Sequence, residues 1–327
     1  MRRTLLTTTA LAVLALGGSS LLPGCGDAEV TRAVSALARA AAVSGPRQAH
    51  RGERTIESRI DGALVRHKER VFDDGAGDLG IESADESGRP LEGVQALEFL
   101  RAARFQHKYR DLSIDSVDRV LANYKTSIIP ENLQISGRST IHLRFEPRHA
   151  GALAIDVWSD RTSGLPLRVE RHDGAGAVVA SMEYTSVEVG PVRRVAGDPP
   201  TLPSAGSSTP VAVASFASPL SHGSAWTPEG FALAESKWLT LRIDGQDEHI
   251  WLDRYSDGLE HLIVLQADAT SGHWEMPSAG SGATTLSVVR VGTVSVVMTE
   301  REGIALTALG RASRESLGGL LVGYELR

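Results

Sequence analysis

The amino-acid sequence predicts an α+β fold that is mainly antiparallel β, divided into two domains by a linker. Short segments of alternating apolar and polar residues, separated by Gly, Asp and Ser turns, indicate antiparallel strands with one face in a core. An apolar stripe over residues 28–43 has helical spacing. Residues 191–210 hold five of the 14 prolines among Gly, Ser and Ala, which is typical of a semi-extended linker.

Composition limits the classes of function. The chain has 327 residues and a net charge of −6, from 34 Lys and Arg against 40 Asp and Glu. This length accommodates about two domains, and the acidic balance argues against a general nucleic-acid binder. The single cysteine excludes an intramolecular disulfide and a multi-thiolate zinc site. Aromatic residues make up only 5%, so we expect mostly aliphatic cores.

The N-terminus predicts export and a lipid anchor. Residues 1–24 combine two arginines with a short apolar run, as in a signal peptide. Residues 22–25, Leu-Pro-Gly-Cys, resemble the lipobox of bacterial lipoproteins, which predicts lipidation of Cys25. Gly26 after the cysteine indicates the outer membrane, so we expect a lipid-anchored protein on the periplasmic side. The alternative is an ordinary cleaved signal peptide with an incidental cysteine.

Hydrophobic spacing gives the elements of the first domain. It predicts a helix over 28–43, a hairpin around the Asp61-Gly62 turn and a second helix over 94–103. Residues 117–124 fit either a helix or a strand that begins near Val120. Four consecutive strands joined by short turns then predict an antiparallel meander over 141–145, 153–157, 165–169 and 178–189.

The second domain, residues 211–327, has the same strand-rich pattern. A hairpin is predicted over 239–253, and residues 262–265 form an unbroken apolar run that indicates a central strand buried on both faces. A second hairpin is predicted over 293–309. Ser313 is placed to cap a final helix, although the Gly318-Gly319 pair weakens that helix.

Motifs for catalysis or metal binding are weak. Residues 75–80 match G-x-G-x-x-G, but the neighbouring aspartates would repel phosphate, which favours an acidic surface loop. The ten histidines form no closely spaced pair, which argues against a metal site. We expect His142, on the polar face of a strand, to be solvated and His261 to lie on the second domain's surface. No spacing pairs carboxylates for acid–base chemistry. We therefore predict no catalytic residue, no metal ligand, no cofactor and a protein that is not an enzyme.

Tryptophan placement leaves two interpretations open. Four of the five tryptophans fall between Trp226 and Trp274, where they either fill a small core or form an interface with a protein partner. Trp158 alternates with Val157 on its strand. It either covers the second face of a curved sheet or lines a cavity.

Several segments, in order along the chain, resemble the sigma-E regulatory protein family RseB/MucB. Each motif is weak by itself, and it is their order that makes the resemblance specific. In the first domain they are Gly137-Arg138, Trp158, Asp160 and Gly164-Leu165-Pro166-Leu167-Arg168. In the second domain they are Phe231, Tyr255 and Asp257-Gly258.

The resemblance implies a division of the chain. It implies a signal peptide over 1–24, an RseB/MucB N-terminal-like domain over 25–190, a linker over 191–210 and a C-terminal-like domain over 211–327. The larger domain is expected to be a half-open β-barrel, similar to the lipoprotein carriers LolA and LolB, that wraps over helices around an apolar cavity. The C-terminal domain is expected to be a smaller α/β domain.

The resemblance also implies a function without catalysis. The family binds the extracytoplasmic segment of a membrane anti-sigma factor and responds to lipid-bearing ligands, such as the acyl chains of lipoproteins or lipopolysaccharide, during envelope stress. The alternative is a LolA/LolB-like lipid or lipoprotein carrier or acceptor anchored to the outer membrane. Family members are generally soluble in the periplasm, and the predicted anchor on Cys25 departs from that pattern.

Overall fold

The computed structural model describes two antiparallel sheets and three helices within ten stretches of the chain. This architecture confirms the predicted α+β, mainly antiparallel fold class. Within these stretches, no helix is long and apolar enough to cross a membrane. The described residues are 25–41, 47–60, 63–84, 112–150, 152–201, 224–243, 246–268, 287–291, 294–301 and 303–324.

Nine strands form the first sheet, in the order β3-β2-β1-β9-β8-β7-β6-β4, with the short β5 paired to β6. The β1–β2 hairpin and the β6–β9 meander are both antiparallel and confirm the predicted pairings. The strands are β1 (His50–Ile60), β2 (Ala63–Asp73), β3 (Leu79–Ala84), β4 (Tyr124–Ile129), β5 (Gln134–Ile135), β6 (Arg138–Pro147), β7 (Ala154–Asp160), β8 (Pro166–His172) and β9 (Val178–Val189).

Two helices pack on one face of this sheet. Helix α1 (Cys25–Ala40) confirms the first predicted helix, with a start three residues earlier, and buries Val34 and Leu37 completely in the core. Helix α2 (Val117–Asn123) is capped by the Ser116 hydroxyl, which accepts the third backbone N–H of the helix. A helix followed at once by strand β4 therefore resolves the ambiguity in this segment. The helix predicted over 94–103 lies outside the described residues.

The first half of the predicted linker packs against the first sheet. Arg194 donates two hydrogen bonds to the Asp78 carboxylate, at 3.0 and 2.6 Å, and its guanidinium lies 4.3 Å from the centre of the Phe72 ring. Thr201 pairs with Gly80 on the edge strand β3. Residues 191–201 therefore form a strap along β3, and they do not behave as a free tether.

Six strands form the second sheet, in the order β10-β11-β12-β15-β14-β13. Strand β12 lies inside the sheet, and its residues 262–265 are almost completely buried, which confirms the predicted central strand. Both predicted hairpins are present, as β10–β11 and β14–β15. The strands are β10 (Ala232–Ile243), β11 (Gln246–Ser256), β12 (His261–Asp268), β13 (Ser287–Val291), β14 (Val294–Arg301) and β15 (Ile304–Gly310).

Helix α3 (Arg314–Val322) covers one face of the second sheet. Its N-cap is Ser313, as predicted, and its leucines pack with buried residues of β11, β12, β14 and β15. The glycine pair has a packing role, because a Cβ on Gly319 would lie 3.0 Å from the Trp226 ring. The absence of a side chain at Gly319 lets the Trp226 indole pack directly against the helix.

Candidate functional site

The residues predicted from the resemblance fall into two groups in the structure. One group surrounds the β7–β8 turn of the first sheet, and the other lies near the β11–β12 turn of the second sheet. The second group meets the first sheet in a junction. We define the junction by residues 113–124 and Arg171 on one side, and by residues 254–261 and Arg311 on the other.

Asp160 organises the β7–β8 turn. Its carboxylate accepts the backbone N–H groups of Thr162 and Ser163 and a 2.6 Å hydrogen bond from the Arg138 guanidinium. Burial acts to raise the pKa of Asp160, but the hydrogen bonds from Arg138 and Ser163 outweigh it and hold that pKa below its usual value. The charged residues Arg138 and Asp160 thus belong to one hydrogen-bonded unit at this turn. Gly137, beside Arg138, adopts a positive φ of 74°.

The Gly164-to-Arg168 segment docks this turn on helix α1. Gly164 has a φ of 77°, and a Cβ there would lie 2.6 Å from the Ala36 carbonyl oxygen. Leu165 and Leu167 are buried in the core, and Pro166 begins strand β8 opposite Ser159. These residues have a structural role, because they fix where the helix crosses the sheet.

Trp158 lies on the face of the first sheet opposite Val157, inside a stack of polar groups. The His142 ring stacks on it at 4.1 Å, and the Arg168 guanidinium lies 4.6 Å from its centre. The His142 ring also contacts the carboxylates of Glu131 and Asp156, at 2.9 and 2.8 Å. The prediction that His142 is solvated is therefore wrong, because cross-strand neighbours bury the ring.

A polar groove of about 560 Å³ opens on the same face, across β2, β1, β9 and β8. It carries three cationic and three anionic side chains with hydroxyl groups between them, and Arg168 connects it to the Trp158 stack. Such a lining suits a polar partner better than an acyl chain. The groove is lined by Thr55, Glu57, Arg66, Lys68, Arg168, Glu170, Ser181, Glu183 and Thr185.

Asp257 and Gly258 make the closest approach at the junction. The Tyr124 hydroxyl donates a 2.6 Å hydrogen bond to the Asp257 carboxylate, and the Asn123 side chain donates to the Asp257 carbonyl oxygen at 2.7 Å. Gly258 has a φ of 111°, and a Cβ there would lie 2.7 Å from the Val120 backbone nitrogen. Only glycine fits this contact between the two sheets.

Two carboxylates of the β11–β12 turn, Asp257 and Glu260, are buried at the junction with different partners. Glu260 accepts hydrogen bonds from Arg171 of the first sheet at 2.7 Å and from Arg311 at 2.9 Å. Burial raises the pKa of Asp257 to about 6, against the hydrogen bond from Tyr124. Burial also acts to raise the pKa of Glu260, but the two arginines outweigh it and lower that pKa to about 2.

His261 is a junction residue, so the prediction that it lies on the second domain's surface is wrong. It is 4% exposed, and its Nε2 atom lies 3.0 Å from both the hydroxyl and the carbonyl oxygen of Ser113. Its Nδ1 atom lies 3.3 Å from Arg254, whose guanidinium also contacts Asp115 at 3.1 Å. Sequence spacing offered no signal for this cluster, because Ser113 and Asp115 lie more than 130 residues from Arg254 and His261 along the chain.

The remaining predicted residues of the second domain belong to its core. The Tyr255 hydroxyl shares a 2.9 Å hydrogen bond with the Tyr324 hydroxyl, and Phe231 packs against the same apolar cluster. Trp238 and Trp251 contact each other edge to face at 5.1 Å. Trp226 packs against helix α3 and is 46% exposed. Some of the described tryptophans therefore pack in the interior and others lie at the surface. Trp274 lies outside the described residues.

The site thus combines a polar groove on the first sheet with buried polar contacts between the two sheets. Among the described residues, no group of three or more His, Cys, Asp or Glu side chains is arranged to hold a metal ion. In the acidic loop Asp74–Asp78, the Asp74 carboxylate accepts hydrogen bonds from three backbone N–H groups of the loop itself.

Comparison with solved structures finds the same fold in MucB. The crystal structure of MucB matches with a TM-score of 0.55 at 15% identity and covers 92% of this chain and 98% of that one. MucB in complex with MucA(peri) matches with a TM-score of 0.52 over the same shares, and the Pseudomonas aeruginosa MucA/MucB complex with 0.54 over 91% and 99%. At this identity the likeness shows a common fold.

Comparison with protein families gives a match in the first domain. Residues 88–207 match the MucB/RseB N-terminal domain. No curated protein matches the chain. This match confirms the resemblance of the chain to the MucB/RseB family.

Proposed function

We propose that this protein binds the extracytoplasmic segment of a membrane anti-sigma factor and so regulates envelope-stress signalling, without catalysing a reaction. One observation carries the proposal. The likeness to MucB extends through both sheets, and one of the matching structures is MucB in complex with MucA(peri). A carrier of the LolA/LolB type needs only the first domain, whereas here the second sheet is retained and joined to the first through buried polar contacts.

The proposal includes a lipid-bearing ligand and a lipid anchor at Cys25, which holds the protein on the periplasmic side, at the outer membrane. The sequence motif at residues 22–25 supports the anchor, and the family resemblance supports the ligand. Two acyl chains hold a protein stably on a bilayer. The polar groove of the first sheet offers a surface for the headgroup or for charged segments of a protein partner.

Crosslinking in cells, affinity capture of the lipidated protein and mass spectrometry of proteins and lipids test the proposal. We expect a single-span anti-sigma protein, whose purified extracytoplasmic segment then binds the purified chain directly. Recovery of lipids or of many lipoproteins, with no direct binding to any such segment, would support the carrier and refute the regulator. For the anchor, Cys25→Ser should move the protein from the membrane to the soluble fraction.

The lipid ligand has a separate test. The chain bound to the anti-sigma segment is titrated with micelles of lipopolysaccharide or of a diacylated lipopeptide, with matched micelles of plain detergent as the control. Release of the segment by the lipid micelles alone is the expected result. Equal retention in all three titrations would remove the lipid ligand from the proposal.

A further inference from the structure

The hydrogen bonds of His261 define its charge at the closed junction. The Ser113 carbonyl oxygen can only accept, so Nε2 carries the proton. The Arg254 guanidinium can only donate, so Nδ1 must accept from it. Both ring nitrogens are therefore satisfied in the neutral form, and a second proton would place an N–H against the guanidinium.

Protonation of His261 would act directly on contacts that cross the junction. Arg254 lies on β11 and pairs with Asp115, which precedes helix α2 on the first-sheet side. A charged imidazolium would repel the Arg254 guanidinium, and its displacement would break the ion pair with Asp115. The contact between His261 and Ser113 also crosses the junction, because Ser113 lies on the same side as Asp115. Acid is thus expected to weaken one end of the junction.

Protonation of Asp257, at the other end of the junction, has the opposite effect. Its carboxylate is 3% exposed and receives the Tyr124 hydroxyl, while the charge of Glu260 lies nearby. Separating the sheets would return this carboxylate to water, where the charged form is favoured. A proton on Asp257 therefore favours the closed junction.

We propose that the junction is a pH-responsive latch between the two sheets, in which protonation of His261 opens it and protonation of Asp257 limits the opening. The two groups lie four residues apart, Asp257 in the β11–β12 turn and His261 at the start of β12, so one short segment carries both responses. The charged and titratable groups that contact these two residues or lie among their neighbours at the junction are Asp115, Arg119, Tyr124, His149 and Arg171 from the first sheet, and Glu229, Glu235, Arg254, Glu260 and Arg311 from the second.

The size of each response follows from the pKa values in the closed state. Burial and the neighbouring Arg254 lower the pKa of His261 from 6.5 to about 4. Between pH 7.5 and pH 5 this favours opening by about 25-fold, whereas the raised pKa of Asp257 favours closure by about tenfold. Glu260 adds little above pH 5, because its carboxylate is charged in both states there. The two responses therefore oppose each other and largely cancel in the unmodified protein.

Single-molecule energy transfer on the full mature chain measures the ratio of open to closed molecules. Dyes are placed at Val178→Cys on the first sheet and Val322→Cys on the second, both at exposed positions, with Cys25→Ser to avoid a third label. In the protein that carries only these labelling substitutions, the two responses oppose each other, so we expect the ratio to change by less than about tenfold between pH 7.5 and pH 5.

Two variants separate the opposing groups. His261→Gln keeps a donor for Ser113 and should leave only the Asp257 response, giving about tenfold more closure in acid. Asp257→Asn should increase the acid opening to about 25-fold. His67→Gln, a histidine of β2 outside the junction, is the matched control and should behave as the unmodified protein.

The results decide between the latch and a junction that ignores pH. Opposite shifts in His261→Gln and Asp257→Asn support the latch. The same acid response in both variants and in the control would overturn it. If His261→Gln does not fold by circular dichroism, Asp257→Asn alone decides, since a response equal to that of the unmodified protein contradicts the proposal.

Discussion

Replacing Gly258 by alanine tests whether the two sheets are held together by close backbone contact. Gly258 has a φ of 111°, and the new Cβ would lie 2.7 Å from the Val120 backbone nitrogen and 2.9 Å from its Cγ2 atom. A non-glycine residue at such a φ costs about 1–3 kcal/mol. Insertion of a methyl group into a packed contact costs about 1–3 kcal/mol more, so Gly258→Ala should lose about 2–6 kcal/mol.

The matched control is Gly77→Ala. Gly77 has a φ of 132°, but a Cβ there would meet nothing within 4 Å, so only the backbone cost of about 1–3 kcal/mol applies. Urea unfolding of both variants in the full chain, followed by tryptophan fluorescence, gives the difference. If the two variants differ by less than about 0.5 kcal/mol, the close packing of Gly258 against α2 does not hold the junction, and the reasoning is refuted.

Two further substitutions test paired charges by urea unfolding. Glu260→Gln leaves the buried Arg171 and Arg311 without their carboxylate, so the free energy of unfolding should fall by about 3–5 kcal/mol. Glu188 makes an exposed ion pair and supplies the control, because Glu188→Gln should cost less than about 1 kcal/mol. Equal losses would contradict a stabilising role for the Glu260 contacts at the junction. Asp160→Asn should cost about 1–3 kcal/mol at pH 7 through lost hydrogen bonds. Because the folded-state pKa of Asp160 is lowered, its stabilisation is present above pH 3.8 and declines in stronger acid. The difference in unfolding free energy between variant and parent should therefore be smaller at pH 3 than at pH 7. An unchanged difference would exclude a role for the charge of Asp160.

Strand pattern and turn residues predicted most of the architecture. The alternation over 141–145 and 153–157 placed one face of the meander in the core, because a strand has a side-chain period of two. The continuous apolar run 262–265 indicated a strand enclosed on both faces, and Ser313 marked the start of α3. These features depend on residues adjacent in sequence, which is why a single sequence carries them.

Contacts between distant residues were not predictable in the same way. His142 was expected in solvent because it occupies a polar position of its strand, and His261 was expected on the surface of the second domain. The structure buries His142 through its cross-strand neighbour Trp158, and His261 through Ser113, which lies 148 residues away along the chain. Strand pairing and domain docking decide these environments, and neither is encoded in local spacing.

The strap formed by residues 191–201 has a consequence for association between molecules. An open edge strand presents free backbone groups that can pair with another chain and begin aggregation. Thr201 occupies part of that edge by pairing with Gly80, where the lack of a side chain lets the Pro199 carbonyl approach within 2.5 Å of a Cβ position. The segment that leads toward the second domain therefore also protects β3 from edge-to-edge pairing with other molecules.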